Sequence, residues 1–364
     1  MQPTFGPRTR TGGSDARAAS TVRPSRLLVL AVGVFGLSIP IATAANETAT
    51  AGTAELRHRS LRKWDLQLPA EKLTPVGQGF SLEETIGKTF KVELEGTSLK
   101  IDSDGDGTFD VTAESPEAAV TLNGTEGRRY AVRLIDRGGW HYTAGGTLRG
   151  KIAGETIQLI DQNLDGDYCD IGEDAIIVGR GKIAAFLSQV IAIDGTLYEL
   201  EVAADGTTVD YRPYRGATGT LTLGPCDTKA KVLSAVVRSE DGRFCFDMAK
   251  EQSGLTVPAG EYRLLAGIIG LGENRVTMQG GRSKSFTVPP GGTKELSWGG
   301  PVKAEFAYRH SGTQIDLSPE HVWYYGAAGE LYAGWTPIGK SPEFTIRNKK
   351  TGREIAQAYF PGTC

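Results

Sequence analysis

The stretch Ser98–Ala113 reads SLKIDSDGDGTFDVTA, and a second, Thr156–Gly179, reads TIQLIDQNLDGDYCDIGEDAIIVG. In each, short runs rich in β-branched and apolar residues flank a polar turn carrying Gly, Asp and Asn. Such runs bounded by turn formers are strands, and a polar turn between two of them makes a hairpin. The pattern continues outward. Upstream of Gly224 the runs FKVEL, YAVRLI, TLRGKI, LYELEV and TTVDYR repeat it; after the GPCD step come KVLSAVV, FCFDM, EYRLLAGII, RVTMQ, KSFTV, KELSW, KAEFAY, VWYY, ELYAGW and FTIRN. With 48 Gly against 3 Met in 364 residues, turn-rich β structure is favoured over helical bundles. The expected fold is therefore all-β in two β-rich domains, residues 88–224 carrying the two polar hairpin loops and residues 225–364 forming a β-sandwich. Residues 45–87, polar and punctuated by proline, read as a linker or edge segment. Gly181–Ile193, GKIAAFLSQVIAI, fits either one short helix or a buried strand.

The two loops hold acidic or amide residues in strict alternation. Asp102, Asp104 and Asp106 precede Gly107, and Asp161, Asn163 and Asp165 precede Gly166. Carboxylates about 4 Å apart repel by roughly 4 kcal/mol per pair at an effective dielectric near 20. A folded loop of this kind calls for a cation. Calcium takes six to eight hard oxygens, which alternating side chains, a carbonyl after a sharp turn and a later carboxylate supply. In the first loop Thr108 offers its carbonyl and Asp110 stands at the ninth place; in the second Asp167 offers its carbonyl and the closing carboxylate comes from Asp170, Glu173 or Asp174. The alternative is a pair of solvated turns, since Asp, Asn and Gly form turns without any metal. The Asp-Gly steps at Asp205 and Asp241 read as ordinary turns.

Over about a dozen residues each, these loops resemble the EF-hand and its relatives, the dockerin-type and other DxDxDG loops of extracellular proteins. That resemblance implies Ca2+ as the bound ion. It stops at ligand order: an EF-hand carries a bidentate Glu at its twelfth place and helices on both sides, whereas Ala113 and Gly172 stand there and the flanks read as strands. In the second half, VPAGEYRL, Val257–Leu264, resembles a step of prealbumin-like and carboxypeptidase-regulatory-like domains, which implies an Ig-like or transthyretin-like sandwich and no activity.

Residues 23–45 read as an export signal: Arg23 and Arg26, an apolar core from Leu27 to Ile39, and Ala42-Thr43-Ala44 as a cleavage site. The apolar stretch is short for a membrane span and Pro40 interrupts it. A secreted, periplasmic or cell-surface location follows, with no membrane span after cleavage. The leader before Arg23 is long and leaves open a later start codon or an organelle transit segment. Loss of residues 1–44 removes five Arg and one Asp, moving the formal charge from -3 to -7. An acidic chain without a basic aromatic stripe is a poor nucleic-acid partner. Four cysteines in an exported chain invite disulfides; Cys226 with Cys245 is the expected pair, and Cys169 and Cys364 stay unassigned.

Catalytic signatures are missing. There is no GxSxG elbow, HExxH pair or phosphate-binding glycine loop, and His58, His141, His310 and His321 have no metal-ligand spacing. Trp323, Tyr324, Tyr325, Tyr332 and Trp335 offer either a sugar-stacking surface or sandwich core. The expectation is a calcium-stabilised structural or cell-surface protein, with a polysaccharide-binding module as the alternative and a hydrolase acting through paired carboxylates as the third reading.

Overall fold

Alternation in the sequence becomes alternation in burial. Ser98–Ile101 and Thr218–Leu223 each bury every second residue, as a pleated strand with one face on a core must. The computed structural model describes residues 49–61, 63–77, 79–80, 82, 86–225, 230–249, 251–312, 314–334 and 343–359. The expected export segment, Cys226, Trp335 and Cys364 lie outside the described residues. The protein is all-β, in mostly antiparallel sheets; among the described residues the parallel pairings are Thr218–Leu223 with Thr293–Leu296, inside the three-stranded sheet, and an isolated bridge between Gln67 and Ile183. Gly181–Ile193 contains no helix: Ala185–Phe186 and Val190–Ile193 are separate short strands. The Ser188 hydroxyl between them bonds the carbonyl of Val190 at 2.6 Å and accepts from the Cys245 amide at 3.0 Å.

Residues Glu47–Cys364 form one contact unit containing two main cores. The first runs from Ala54 to Val209 and is served by four sheets. Gly52–Glu55 and Arg57–Ser60, from the segment expected to be a linker or edge, sit at the edges of two of these sheets, and Val76, Phe80, Leu82 and Ile86 are buried in the core. The second core lies between a three-stranded sheet, which supplies Leu221, Val257 and Leu296, and an eight-stranded one, which supplies Val237, Leu264 and Met278. That is the layering of a sandwich. Val190 and Leu197, from strands of the first half, also pack into it.

The VPAGEYRL step turns a corner between these two sheets. Leu255–Pro258 belongs to the three-stranded sheet and Gly260–Leu271 to the eight-stranded one, and the fully buried Tyr262 donates its hydroxyl to the Pro258 carbonyl at 2.8 Å. Tyr262→Phe strands that buried carbonyl. We expect a loss of about 1–2 kcal/mol in denaturant unfolding with an unchanged slope; an unaltered midpoint would show the bond to be idle.

Two sheets position the polar loops. The first loop joins Ser98–Ile101 to Val111–Ala113, which pair Ile101 with Val111. The second joins Glu155–Ile160 to Ala175–Val178, which pair Ile160 with Ala175. Both loops are thus hairpin connections of antiparallel strands, and Ile101, Val111, Ile160 and Ala175 at their bases pack in or against the first core.

Candidate metal centre

In the first loop the backbone wraps around one carboxylate. Asp102, 1% exposed, accepts from the amides of Gly105 at 2.8 Å and Asp106 at 3.1 Å through one oxygen, and from Gly107 at 2.8 Å through the other. Gly105 and Gly107 have φ of 68° and 95°, a region open to glycine at no steric cost. That winding turns Asp104 and Asp106 back toward Asp102. Ligand oxygens of Asp102, Asp104 and Asp106 all lie within 4.8 Å of one another, a group that can hold a metal ion. Asp104 also accepts from the Asp106 amide at 3.2 Å, and Asp106 from that of Thr108 at 2.7 Å.

Asp110 is placed differently. Its carboxylate accepts the Ser103 amide and hydroxyl, each at 2.7 Å. Burial works to raise its pKa, but the Ser103 bonds outweigh this and hold it below the ordinary range. It braces the base of the loop from outside the three-acid group. Lys88 donates to the Asp104 carbonyl at 2.6 Å, and the Asn123 amide to that of Ser103 at 2.8 Å.

The second loop is buried deeper. Asp161, 2% exposed, accepts from the Leu164 and Gly166 amides and the Tyr130 hydroxyl, all at 2.7 Å. Asn163 donates to Asp165 at 3.0 Å and to Asp170 at 2.9 Å. The chain then reverses, the Asp174 amide bonding the Asp170 carbonyl at 2.9 Å, which brings Asp174 inside at 1% exposed. One Asp174 oxygen accepts the Asp170 amide at 3.0 Å. The other is buried and has no hydrogen-bond partner.

The electrostatics follow from this crowding. Burial, then repulsion from Asp161, pushes the Asp174 carboxyl up to about 9. Burial takes Asp161 to about 6 against the bonds that favour its ionised form, and close approach to Asp165, then burial, raises Asp170. Burial and the neighbouring acids also raise the Cys169 thiol, which suppresses its thiolate. Buried acids shifted together in this way mark a place short of positive charge.

Of the other residues expected here, Glu173 is exposed and contributes its carbonyl to the Gln162 amide group at 2.5 Å. Asp167 lies 3.6 Å from the Arg128 guanidinium, which also donates to the Gly166 carbonyl at 2.7 Å. Tyr130 and Arg128 are structural partners that the local pattern did not reveal, because they reach the loop from 31 and 38 residues away.

The remaining candidates separate cleanly. Asp205 and Asp241 make ordinary turns, capping Thr207 and Arg243 two residues on. The aromatic set divides: Tyr332 is core, Tyr324 packs against it, and Trp323 is 36% exposed. Cys169 and Cys245 are free thiols, and there is no disulfide among the described residues. No helix of the described residues is long and apolar enough to cross a membrane. No family model, curated protein or solved structure matches the chain.

Proposed function

We propose that this chain is a calcium-stabilised extracellular structural protein, with one ion held in each hairpin loop and neither serving as a catalyst. The observation that carries the reading is the convergence of Asp102, Asp104 and Asp106 within 4.8 Å on a loop wound by two positive-φ glycines. The second loop supports it through a buried carboxylate oxygen of Asp174 that lacks a partner beside a second buried acid. All the donors are hard oxygens, which suit calcium over softer metals. In the first loop the ligand order resembles that of EF-hand-like turns; Asp110, braced by Ser103, stands beside the three-acid group, and carbonyl and water oxygens complete the shell. In the second, Asp174 is the closing carboxylate.

Calorimetric titration of the chain with calcium tests this directly. We expect about two sites with dissociation constants of roughly 10–100 µM, and magnesium at least about tenfold weaker because it demands near-ideal octahedral geometry and gives up its water reluctantly. Asp102→Ala and Asp161→Ala should each remove about one site. Titration curves indistinguishable from buffer would overturn the proposal.

A further inference from the structure

We propose that a second, cation-lined concavity in the sandwich half binds an acidic sugar, a uronate unit of a polysaccharide, independently of either loop. The concavity has a volume of about 480 Å³ and is lined by Arg282, Lys284, Lys294 and Lys303 together with Glu295 and Glu305. Four cations and two carboxylates line it in a chain whose formal charge is -3, so positive charge is concentrated here against the balance of the molecule. Arg282 is committed, paired with Glu305 and lying 4.3 Å from the centre of the Tyr325 ring. Among the described residues Lys284, Lys294 and Lys303 make no ion pair.

The walls are held in place. The Gly326–Gly329 turn that forms one side is fixed from beneath by Glu330, fully buried, which accepts from the Gly299 amide at 2.6 Å and the Ala328 amide at 2.9 Å. Lys294 stands on the three-stranded sheet and Lys303 on the edge strand of the eight-stranded sheet, so their separation is set by two packed layers. The volume lies within the range of small-ligand sites.

Mixed polarity selects the ligand class. A bare anion needs only the lysines, whereas Glu295, exposed and without an ion pair among the described residues, is an acceptor that a bare anion cannot use but that takes hydrogen bonds from the hydroxyls of a sugar. Ser285 and Ser297 add hydroxyls that both donate and accept. An anionic group flanked by hydroxyls, as in a uronate, uses every one of these. Nucleic acid is disfavoured because the cations surround one concavity and do not form a stripe that follows a backbone.

The test is calorimetry on the full chain at low salt with trigalacturonate, its neutral galactose trimer, inorganic phosphate and a single-stranded oligonucleotide. Trigalacturonate should bind, with the neutral trimer weaker by about tenfold or more, as loss of a charge-assisted contact implies. The Lys284→Gln/Lys303→Gln double variant should lose about tenfold for the uronate while its thermal melt and calcium response stay unchanged; both side chains are exposed. No uronate binding, equal binding of the neutral trimer, phosphate or oligonucleotide binding as tight as the uronate, or a double variant that binds normally would each overturn the assignment. Because the calcium response is read in the same samples, failure of the loops and failure of this site are seen separately.

Discussion

In excess chelator the chain should melt about 5–10 °C below its midpoint in millimolar calcium, the shift expected when two sites worth roughly 1.4–2.7 kcal/mol each are emptied. The gap should also widen with pH. Burial holds Asp174 at about 9 and Asp161 at about 6 in the metal-free fold, against about 3.9 for an aspartate in the unfolded chain. Between those values the folded state binds more protons than the unfolded one, so metal-free stability falls as pH rises. The contribution is complete below about pH 4, declines through pH 6 as Asp161 ionises, and is lost by about pH 9. Calcium neutralises the same oxygens, so the calcium-loaded melt should be nearly level over this window. Melts in chelator and in calcium at pH 5, 7 and 9 measure both effects; parallel curves would remove the acids of the second loop from the metal site.

Local order made the first loop readable. Asp102, Asp104 and Asp106 converge because a turn of six residues dictates where alternating side chains go, and Gly105 and Gly107 appear in the sequence where the backbone needs them. The strands were legible for the same reason, alternation being a property of neighbours. The second loop resisted at its closing end. Asp170, Glu173 and Asp174 are equivalent as letters, and only the reversal that bonds the Asp174 amide to the Asp170 carbonyl buries one and exposes another. Asp110 meets Ser103, which is itself inside the loop; a residue that donates twice to a carboxylate, through its amide and its hydroxyl, looks in sequence like a spacer. Tyr130 carried no local signal at all. It sits in a strand buried continuously from Tyr130 to Leu134, and its bond to Asp161 depends on how two sheets pack.

The sharpest separation of a metal ligand from a merely buried acid comes from Asp174→Asn. The substitution keeps the shape and leaves a carbonyl oxygen to accept the Asp170 amide, which Asp174 now does at 3.0 Å. It removes a carboxyl that burial and Asp161 hold up to about 9, so that at pH 8 the metal-free fold must take up a proton which the unfolded chain does not carry. In chelator at pH 8 the variant should therefore be more stable than the parent by a few kcal/mol, on the order of the cost of that proton uptake. In calcium the sign reverses. An amide oxygen is a poorer ligand than a carboxylate and brings no charge, so the variant forfeits most of the roughly 1.4–2.7 kcal/mol that its loop gains from the ion. Parent and variant should thus exchange rank between the two buffers, which no purely structural role produces. A buried acid with no metal to bind would gain stability in both buffers on this change, and a residue irrelevant to the site would change neither. Paired melts of the two proteins, each with and without calcium, read the exchange in four curves, and the same ranking in both buffers would leave Asp174 outside the coordination shell.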